Sequence, residues 1–234
     1  MSIRRRPELL LMCLMFTLIA NISCGQSLTN VVFVAFDTET TGLDARSGRV
    51  IEIGAVRFQN SKVLGTTNWL INPEMPIPSD SQEIHHITDE MVADKPTSKK
   101  VLPEFIAFIR GATLLAHNAQ FDVKFIRAEL RKCDLPAPDN VILDTLKLSR
   151  AWFPETKSHE LDKLVEYLKL PEGKFHRALA DAEHAMDLFL TGVRKMPENT
   201  TLQDVTKLAG GALKFTTPPP KQPHPLRSIE PPAI

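Results

Sequence analysis

The chain has 234 residues with 28 basic and 28 acidic side chains, and 43% of its residues are apolar. This composition fits one large globular domain and excludes a fibrous or wholly disordered protein. A formal net charge of zero argues against a protein that coats nucleic acid through its overall field, so any contact with such a polymer must be local.

The first 25 residues are predicted to be a targeting segment. Arginines at positions 4–6 precede a largely apolar stretch at 9–20, and small or polar residues follow. This order is typical of a secretory signal peptide, and the stretch is too short for a comfortable transmembrane span. Cys24 resembles a bacterial lipoprotein cleavage site, with simple cleavage after Gly25 as an alternative. We therefore expect export or anchoring in a bacterial envelope, unless the assigned start lies too far upstream and the protein is cytoplasmic.

From residue 30 the pattern becomes that of an α/β domain. Residues 31–36 form a continuous apolar run rich in β-branched side chains, as in a strand buried on both faces. Residues 49–58 and 62–71 predict two more strands joined by a polar turn, which complete an antiparallel meander. Three prolines between positions 73 and 78 then predict a long irregular segment.

Helices and short strands alternate in the second half. The apolar spacing predicts helices at 98–110, 121–132, 145–152, 160–168 and 177–196, and short strands at 113–116 and 141–143. Strands followed by this alternation predict a mixed sheet flanked by helices. We expect the domain to span residues 30–196 and the proline-rich residues 197–234 to form a largely disordered tail.

Four acidic residues in three separated segments carry the chemistry. Asp37 and Glu39 lie in FDTETTG, Asp122 in AHNAQFD and Asp181 in HRALADAE. Residues two apart on a strand project to the same face, so Asp37 and Glu39 can share one ion. Asp122 and Asp181 are both predicted near the start of a helix. Because converging carboxylates repel one another unless divalent cations neutralise them, these four predict a metal site.

A metal site of this kind suits phosphodiester hydrolysis. Two cations about 3.5–4 Å apart can stabilise both the attacking and the leaving oxygen. Hard oxygen ligands favour Mg²⁺ or Mn²⁺ over zinc. His176 lies five positions before Asp181, which is not one helical face, so it must reach the site from a loop. An imidazole suits the general base that accepts the proton of the attacking water.

These three segments resemble the three motifs of the DEDDh branch of the DnaQ-like 3'-5' exonucleases, the family of the proofreading (epsilon) subunit of bacterial DNA polymerase III. The flanking segments VIEIGAVRF, INPEMPIP, EIHHIT, LDTLKLSR and SHELDKLVEYL occur in the family's order. The resemblance covers about residues 31–194. It implies a ribonuclease H-like α/β fold, in which a mixed sheet of an antiparallel meander plus parallel strands is flanked by helices.

The resemblance also implies a role for each matching position. Asp37, Glu39, Asp122 and Asp181 would bind two Mg²⁺ or Mn²⁺ ions, and His176 would be the general base. The residues implied around the terminal nucleotide are Thr38, Thr40, Thr41, Gly42, Leu43, His85, His117, Asn118 and Phe121. His86 stands where the family usually has glycine, which bears on the shape of the nucleotide pocket. Histidines outside the motifs are expected on the surface, namely His159, His184 and His224.

The expected activity is therefore metal-dependent 3'-5' exonuclease action on a single-stranded or frayed DNA end, with release of nucleoside monophosphates in proofreading or repair. A polymerase is a candidate partner, and no haem, nucleotide cofactor or zinc is expected. An RNA-directed exonuclease is one alternative, since the choice would depend on contacts to the 2'-hydroxyl. A catalytically silent nucleic-acid-binding relative is another, although the complete set of site residues argues against it.

Overall fold

The computed structural model describes residues 25–216 except Glu172 and Lys174. Within that part the strands are β1 (Phe33–Thr40), β2 (Val50–Gln59), β3 (Lys62–Leu70), β4 (Thr113–Ala116) and β5 (Ile142–Asp144). They form one sheet in the order β3-β2-β1-β4-β5. β1, β2 and β3 are antiparallel neighbours, whereas β4 runs parallel to both β1 and β5. The predicted mixed sheet, a meander plus parallel strands, is confirmed.

Helices cover both faces of this sheet. Their bounds are α1 (Ser79–His85), α2 (Asp89–Val92), α3 (Ser98–Ile109), α4 (Gln120–Lys132), α5 (Thr145–Trp152), α6 (Leu161–Leu168), α7 (Ala178–Val193) and α8 (Leu202–Leu208). None of the helices in the described ranges is long and apolar enough to cross a membrane. The export signal predicted for residues 1–25 falls, apart from Gly25, outside the described residues and stays a prediction.

Alternate residues of β1 pack against different helices. Phe36 lies 5.7 Å from Phe105 of α3, measured between ring centroids, in a core that also contains residues of α4. Phe33 lies 4.8 Å from Phe189 of α7, in the core on the opposite face. Because side chains alternate along a strand, Asp37 and Glu39 continue the face covered by α7. Thr38 continues the face covered by α3 and α4.

The C-terminal end of β1 extends beyond its parallel neighbour β4. β4 pairs with β1 only from Phe33 to Ala35, whereas β2 pairs with β1 as far as Thr40. The apolar run at residues 31–36 therefore marks only part of this strand, and the predicted placement of Asp37 and Glu39 at its end is confirmed. This unequal length leaves the β4 side of Asp37 and Glu39 open for a site.

The segment after β3 is more regular than expected. It contains α1 and α2. Ile77, Ile87 and Val92 of this segment form a small core with Ile51 of β2. Pro78 occupies the N-cap position of α1. The prolines do end the sheet, as predicted. The two helices were missed because helices of seven and four residues are too short to produce a periodic sequence pattern.

The folded domain also extends beyond residue 196. Helix α8 begins with a capping box between Thr201 and Asp204, and Val205 is fully buried. Phe215 is 1% exposed, and Leu213 pairs with Ile142 at the edge of β5. The predicted boundary is thus too early, because a few apolar residues in a polar segment each fill the core. The expected disorder of the last residues concerns 217–234, which lie outside the described ranges.

Candidate active site

Three of the predicted carboxylates meet at the end of β1. Asp37 and Glu39 come from the strand and Asp181 from the first turn of α7, and one oxygen of each lies within 4.8 Å of the others. Helix α7 reaches this position because Gly54, the β2 partner of Asp37, has no side chain. A Cβ at Gly54 would lie 2.1 Å from the carbonyl carbon of Ala178. The first turn of α7 therefore rests directly on the backbone of β2.

The electrostatics of this cluster favour a bound cation. Burial raises the pKa of Asp37 well above its ordinary value, and the charges of Asp122, Glu39 and Asp181 raise it further. Burial, followed by the charges of Asp181 and Glu52, raises the pKa of Glu39 to about 8. A divalent cation would offset this repulsion, and carboxylate oxygens are the ligands that hard divalent cations prefer. The three side chains can thus hold a divalent metal ion.

Asp122 reaches the same region from the other face of the sheet. It lies in the first turn of α4, and its carboxylate accepts a hydrogen bond from the Thr38 hydroxyl at 2.7 Å. Burial raises its pKa to about 7, although the Thr38 hydrogen bond acts in the opposite direction. In the described chain, Asp122 is not part of the 4.8 Å group formed by Asp37, Glu39 and Asp181. It is an adjacent carboxylate whose charge acts on Asp37.

His176 lies in the loop before α7 and is exposed. Its backbone has a left-handed φ of 60°, and its backbone N–H donates to Asp181 Oδ2 at 2.9 Å. Together with Asp37 and Asp181 it lines a cleft of about 840 Å³. The imidazole of His176 and two of the three clustered carboxylates therefore face one cavity.

The cleft is also lined by His117, whose ring is held by hydrogen bonds. Nε2 donates to the carbonyl oxygen of His159 at 2.8 Å, and Nδ1 lies 3.1 Å from the Thr145 hydroxyl. Burial lowers the pKa of His117, which favours the neutral ring. The adjacent Asn118 donates its backbone N–H to Asp144 at 3.1 Å. Both residues line the cleft on a loop that β5 and α5 support.

The threonines after Asp37 shape the backbone of the turn. The Thr40 hydroxyl donates to the carbonyl of Gly42 at 2.7 Å, and Thr41 Oγ1 accepts the backbone N–H of Arg49 at 2.9 Å. Both threonines are buried, whereas Leu43 is 89% exposed. Of the residues implied for nucleotide contact in this turn, Leu43 is the one that projects furthest into solvent.

His85 and Phe121 lie mostly inside the protein. His85 Nδ1 accepts the backbone N–H of Ile87 at 3.0 Å, and burial lowers the pKa of its ring. The ring of Phe121 packs 4.9 Å from that of Phe125. His86 is exposed and ends α1 with a φ of 57°. This left-handed position suits glycine, which explains the family's preference there, and His86 retains the conformation.

Three contributors to the site were not predicted from the sequence. Glu52 is fully buried, and Arg177 Nη2 donates to its Oε1 at 2.6 Å. Asp144 is also buried and caps α5 through the Leu146 N–H. The available signal was a charged residue inside an otherwise apolar strand, since Glu52 interrupts the run VIEIGAV.

The predicted surface position of His184 is wrong. His184 is 3% exposed, and its Nδ1 lies 3.6 Å from Asp181 Oδ1. His184 is three positions after Asp181, so the two residues lie on the same face of α7. The ring of His184 also packs 4.8 Å from that of Phe175. His159 is half-buried and lines the cleft, which also departs from the prediction, and His224 lies outside the described residues.

A model of the Exonuclease family (RNase_T) matches residues 34–189. The chain belongs to this family. The matched range contains all four predicted carboxylates and His176, so the resemblance seen in the sequence motifs is confirmed.

Curated relatives agree with this assignment. The DNA polymerase III subunit epsilon of Treponema pallidum (strain Nichols) is 42% identical over 164 residues, which are 69% of this chain and 76% of that protein. The DNA polymerase III PolC-type of Caldanaerobacter subterraneus subsp. tengcongensis is 41% identical over 166 residues. That match covers 71% of this chain but only 12% of the PolC-type protein, so the chain corresponds to a small part of it.

A solved structure of the family has the same fold. The chain is similar to Exonuclease X in complex with 5' overhanging duplex DNA, with a TM-score of 0.61 and 29% sequence identity. The match covers 76% of this chain and 99% of Exonuclease X. The family assignment therefore rests on sequence and on three-dimensional structure.

Proposed function

We propose that this exonuclease hydrolyses phosphodiester bonds one nucleotide at a time from the 3' end of single-stranded or frayed DNA and releases nucleoside monophosphates. The observation that carries the proposal is the meeting of Asp37, Glu39 and Asp181 within 4.8 Å in a cleft that His176 also lines. Carboxylates of this kind can hold the cations that phosphodiester hydrolysis uses, and an imidazole can accept a proton beside them.

Asp37, Glu39 and Asp181 would hold the metal, with Asp122 as the adjacent fourth carboxylate. We propose two Mg²⁺ or Mn²⁺ ions, because all four donors are hard carboxylate oxygens. When bound, such ions supply counter-charge for the phosphate oxygens and lower the pKa of a water molecule. The pKa of Glu39 is raised to about 8, so protons compete with metal binding at this side chain near neutral pH.

His176 is the residue proposed to accept the proton of the attacking water. Its side chain is exposed in the cleft, so a bound phosphate and its water can approach it. The hydrogen bond from its backbone N–H to Asp181 holds His176 beside the carboxylates proposed to bind the metal. General base catalysis requires this kind of proximity between the imidazole and the activated water.

The terminal nucleotide is proposed to lie between the turn after β1 and the loop after β4. Leu43 projects into solvent on the first side, and Asn118 lines the cleft on the second. The backbone of the turn is held by Thr40 and Thr41, so it offers a rigid wall. A preformed wall reduces the entropy lost when the nucleotide binds.

DNA is proposed as the substrate on the basis of the relatives. Exonuclease X was solved with duplex DNA that has a 5' overhang, and the epsilon subunit belongs by name to a DNA polymerase. These names also support a polymerase as partner. Mixing the purified chain with a replicative polymerase subunit and measuring co-elution in size-exclusion chromatography tests that partner.

The activity is tested with 5'-labelled oligonucleotides and the full chain. DNA and RNA with free or blocked 3' ends are incubated with Mg²⁺, with Mn²⁺ or with EDTA, alongside Asp181→Ala. We expect a ladder that shortens from the free 3' end of DNA in the presence of either metal and no digestion by the variant. Absence of digestion of every free 3' end would contradict the proposal, and preferential digestion of RNA would favour an exoribonuclease.

A further inference from the structure

Glu52 is a carboxylate beside the cluster of Asp37, Glu39 and Asp181, but its own oxygens are not free to bind a metal ion. It is fully buried and stands directly opposite Glu39 in the β1–β2 register. Its Oε1 accepts from Arg177 Nη2 at 2.6 Å and from Asn68 Nδ2 at 2.8 Å. Its Oε2 accepts from Arg177 Nε at 3.1 Å and from the Ala178 N–H at 3.0 Å. Four donors satisfy the carboxylate and leave it little capacity to bind a cation.

The four hydrogen-bond donors around Glu52 favour its charged form. Burial by itself would raise its pKa, but hydrogen bonds from Arg177, Asn68 and the Ala178 N–H hold the pKa below its ordinary value. Arg177 contacts it through two nitrogen atoms, a two-pronged geometry that is stronger and more directional than a single contact. This pair is therefore a fixed connection between β2 and the residues that precede α7.

The connection is made immediately beside His176. Arg177 is the next residue, and Ala178, which follows, binds the same carboxylate through its backbone. Two consecutive residues are thus attached to one buried group on a strand. The contact between Gly54 and Ala178 removes any space between β2 and α7, so the attached segment cannot shift toward the sheet.

The residue before His176 is held as well. Phe175 packs on the buried ring of His184, with 4.8 Å between ring centroids. His176 itself has a left-handed φ of 60°, a conformation that a non-glycine residue adopts only when its surroundings impose it. The constraints on both neighbours account for this conformation. Together with the bond from the His176 N–H to Asp181, they hold the backbone that carries the imidazole.

We infer that Glu52 and Arg177 are positioning residues whose ion pair orients His176 in the cleft. The inference rests on the proposed function, because it assigns the pair a role in that reaction. Glu52 and Arg177 touch no reacting atom in this assignment. They act through the backbone of residues 176–178, and their loss lets the imidazole move.

The test compares Glu52→Gln, Arg177→Met and Arg177→Lys with Asn68→Ala as the matched control. Asn68 binds the same carboxylate, but in the described part of the chain its side chain donates no hydrogen bond to α7. We expect kcat on a DNA oligonucleotide to fall about 10- to 100-fold in the first two variants, the range typical of residues that orient a functional side chain. KM should stay within about 3-fold, Arg177→Lys should recover part of kcat, and Asn68→Ala should lose less than about 3-fold.

Combination with His176→Ala separates positioning from a general structural role. In that background Glu52→Gln should lower kcat by less than about 3-fold, because the group it orients is gone. Amide hydrogen exchange at Ala178 gives a second readout that does not depend on activity, and its protection should fall in Glu52→Gln. Full kcat in Glu52→Gln, or an undiminished effect in the His176→Ala background, would overturn the inference. A wild-type chain without nuclease activity would instead overturn the proposed function.

Discussion

Thr38 donates its hydroxyl hydrogen to the carboxylate of Asp122 across 2.7 Å, although the two residues are 84 positions apart. The bond crosses from the β1 face that packs on α3 and α4 to the first turn of α4. Thr38 thereby holds Asp122 beside the cluster while its neighbours Asp37 and Glu39 point to the other face. One short segment of β1 thus organises carboxylates from both sides of the sheet.

Replacing Thr38 with valine should weaken metal binding most at low pH. The hydroxyl stabilises the charged form of Asp122, so its loss raises the pKa of Asp122 above about 7. Protons then compete better with the metal. We expect the Mg²⁺ concentration for half-maximal activity at pH 7 to rise about 10- to 100-fold, the range for a hydrogen bond to a charged group, and the difference to shrink by pH 9. Metal titrations at each pH measure this, with Thr66→Val on exposed β3 as control, and a pH-independent loss would contradict it.

Replacing Glu39 with glutamine should stabilise the metal-free protein at alkaline pH. Folded Glu39 keeps its proton up to a pKa of about 8, whereas an unfolded glutamate titrates near 4.3. The folded state therefore binds more protons between these values, and the free energy of unfolding falls as pH rises through this window. Glutamine does not titrate, so the free energy of unfolding of the variant does not fall in this window.

Thermal unfolding in EDTA measures the effect. We expect Glu39→Gln to melt at least about 2–4 °C above wild type at pH 8, the shift that 1 kcal/mol produces in a domain of this size. The difference should become small by pH 4 and vanish below it, where wild-type Glu39 is protonated in both states. Glu83→Gln, at an exposed position of α1, is the control. Parallel melting curves for Glu39→Gln and wild type at every pH would exclude the expected linkage.

Replacing Asp181 with asparagine should abolish the response to metal. Mg²⁺ that binds the folded state raises the melting temperature by an amount that grows with the logarithm of its concentration relative to Kd, and Asp181 supplies one of the three clustered carboxylates. We expect the variant to lose this rise and at least about 100-fold in kcat, the upper range for residues that tune a metal site. Asp187→Asn, further along α7, should retain both. A normal Mg²⁺-induced shift in Asp181→Asn would show that the metal is held elsewhere.

Replacing Gly54 with alanine should displace α7. Its Cβ would lie 2.1 Å from backbone atoms of Ala178 and Leu179, and backbone cannot yield without moving the helix. We expect a loss of roughly 3 kcal/mol or more in the free energy of unfolding, at the upper end of overpacking effects. Urea denaturation compares it with Gly65→Ala, where the nearest atom is 3.9 Å away at Phe108. Equal stability of the two variants would contradict the close packing of α7 on β2.

Replacing Phe215 with alanine tests whether residues beyond 196 belong to the domain. Phe215 is 1% exposed and its ring lies 6.2 Å from that of Phe36. Removing such a buried ring lowers the free energy of unfolding by about 3–5 kcal/mol. Thr216→Ala, at an exposed neighbour, should change it by less than about 0.5 kcal/mol. Urea denaturation that fails to distinguish the two variants would return the boundary to residue 196.

Much of the fold was predictable from local patterns. The meander of β1 to β3 and the longer helices produce apolar periodicities that depend only on neighbouring residues. The short helices α1 and α2 and the helix α8 were missed, because each spans two turns or fewer and derives its stability from tertiary packing. Phe215 is a single aromatic residue in a polar segment, and nothing near it in the chain indicates that it fills the core against Phe36.

The amino-acid sequence by itself determined the family, the five motif residues and the shared face of Asp37 and Glu39, since motif order and strand alternation are properties of neighbouring positions. Only the tertiary structure decided that Asp181 joins those two carboxylates while Asp122 binds Thr38. That separation depends on which helix covers which face of the sheet. The tertiary structure also decided the partner of Glu52. A buried charge requires a counter-charge, but only the fold brings Arg177 to it from 125 positions away.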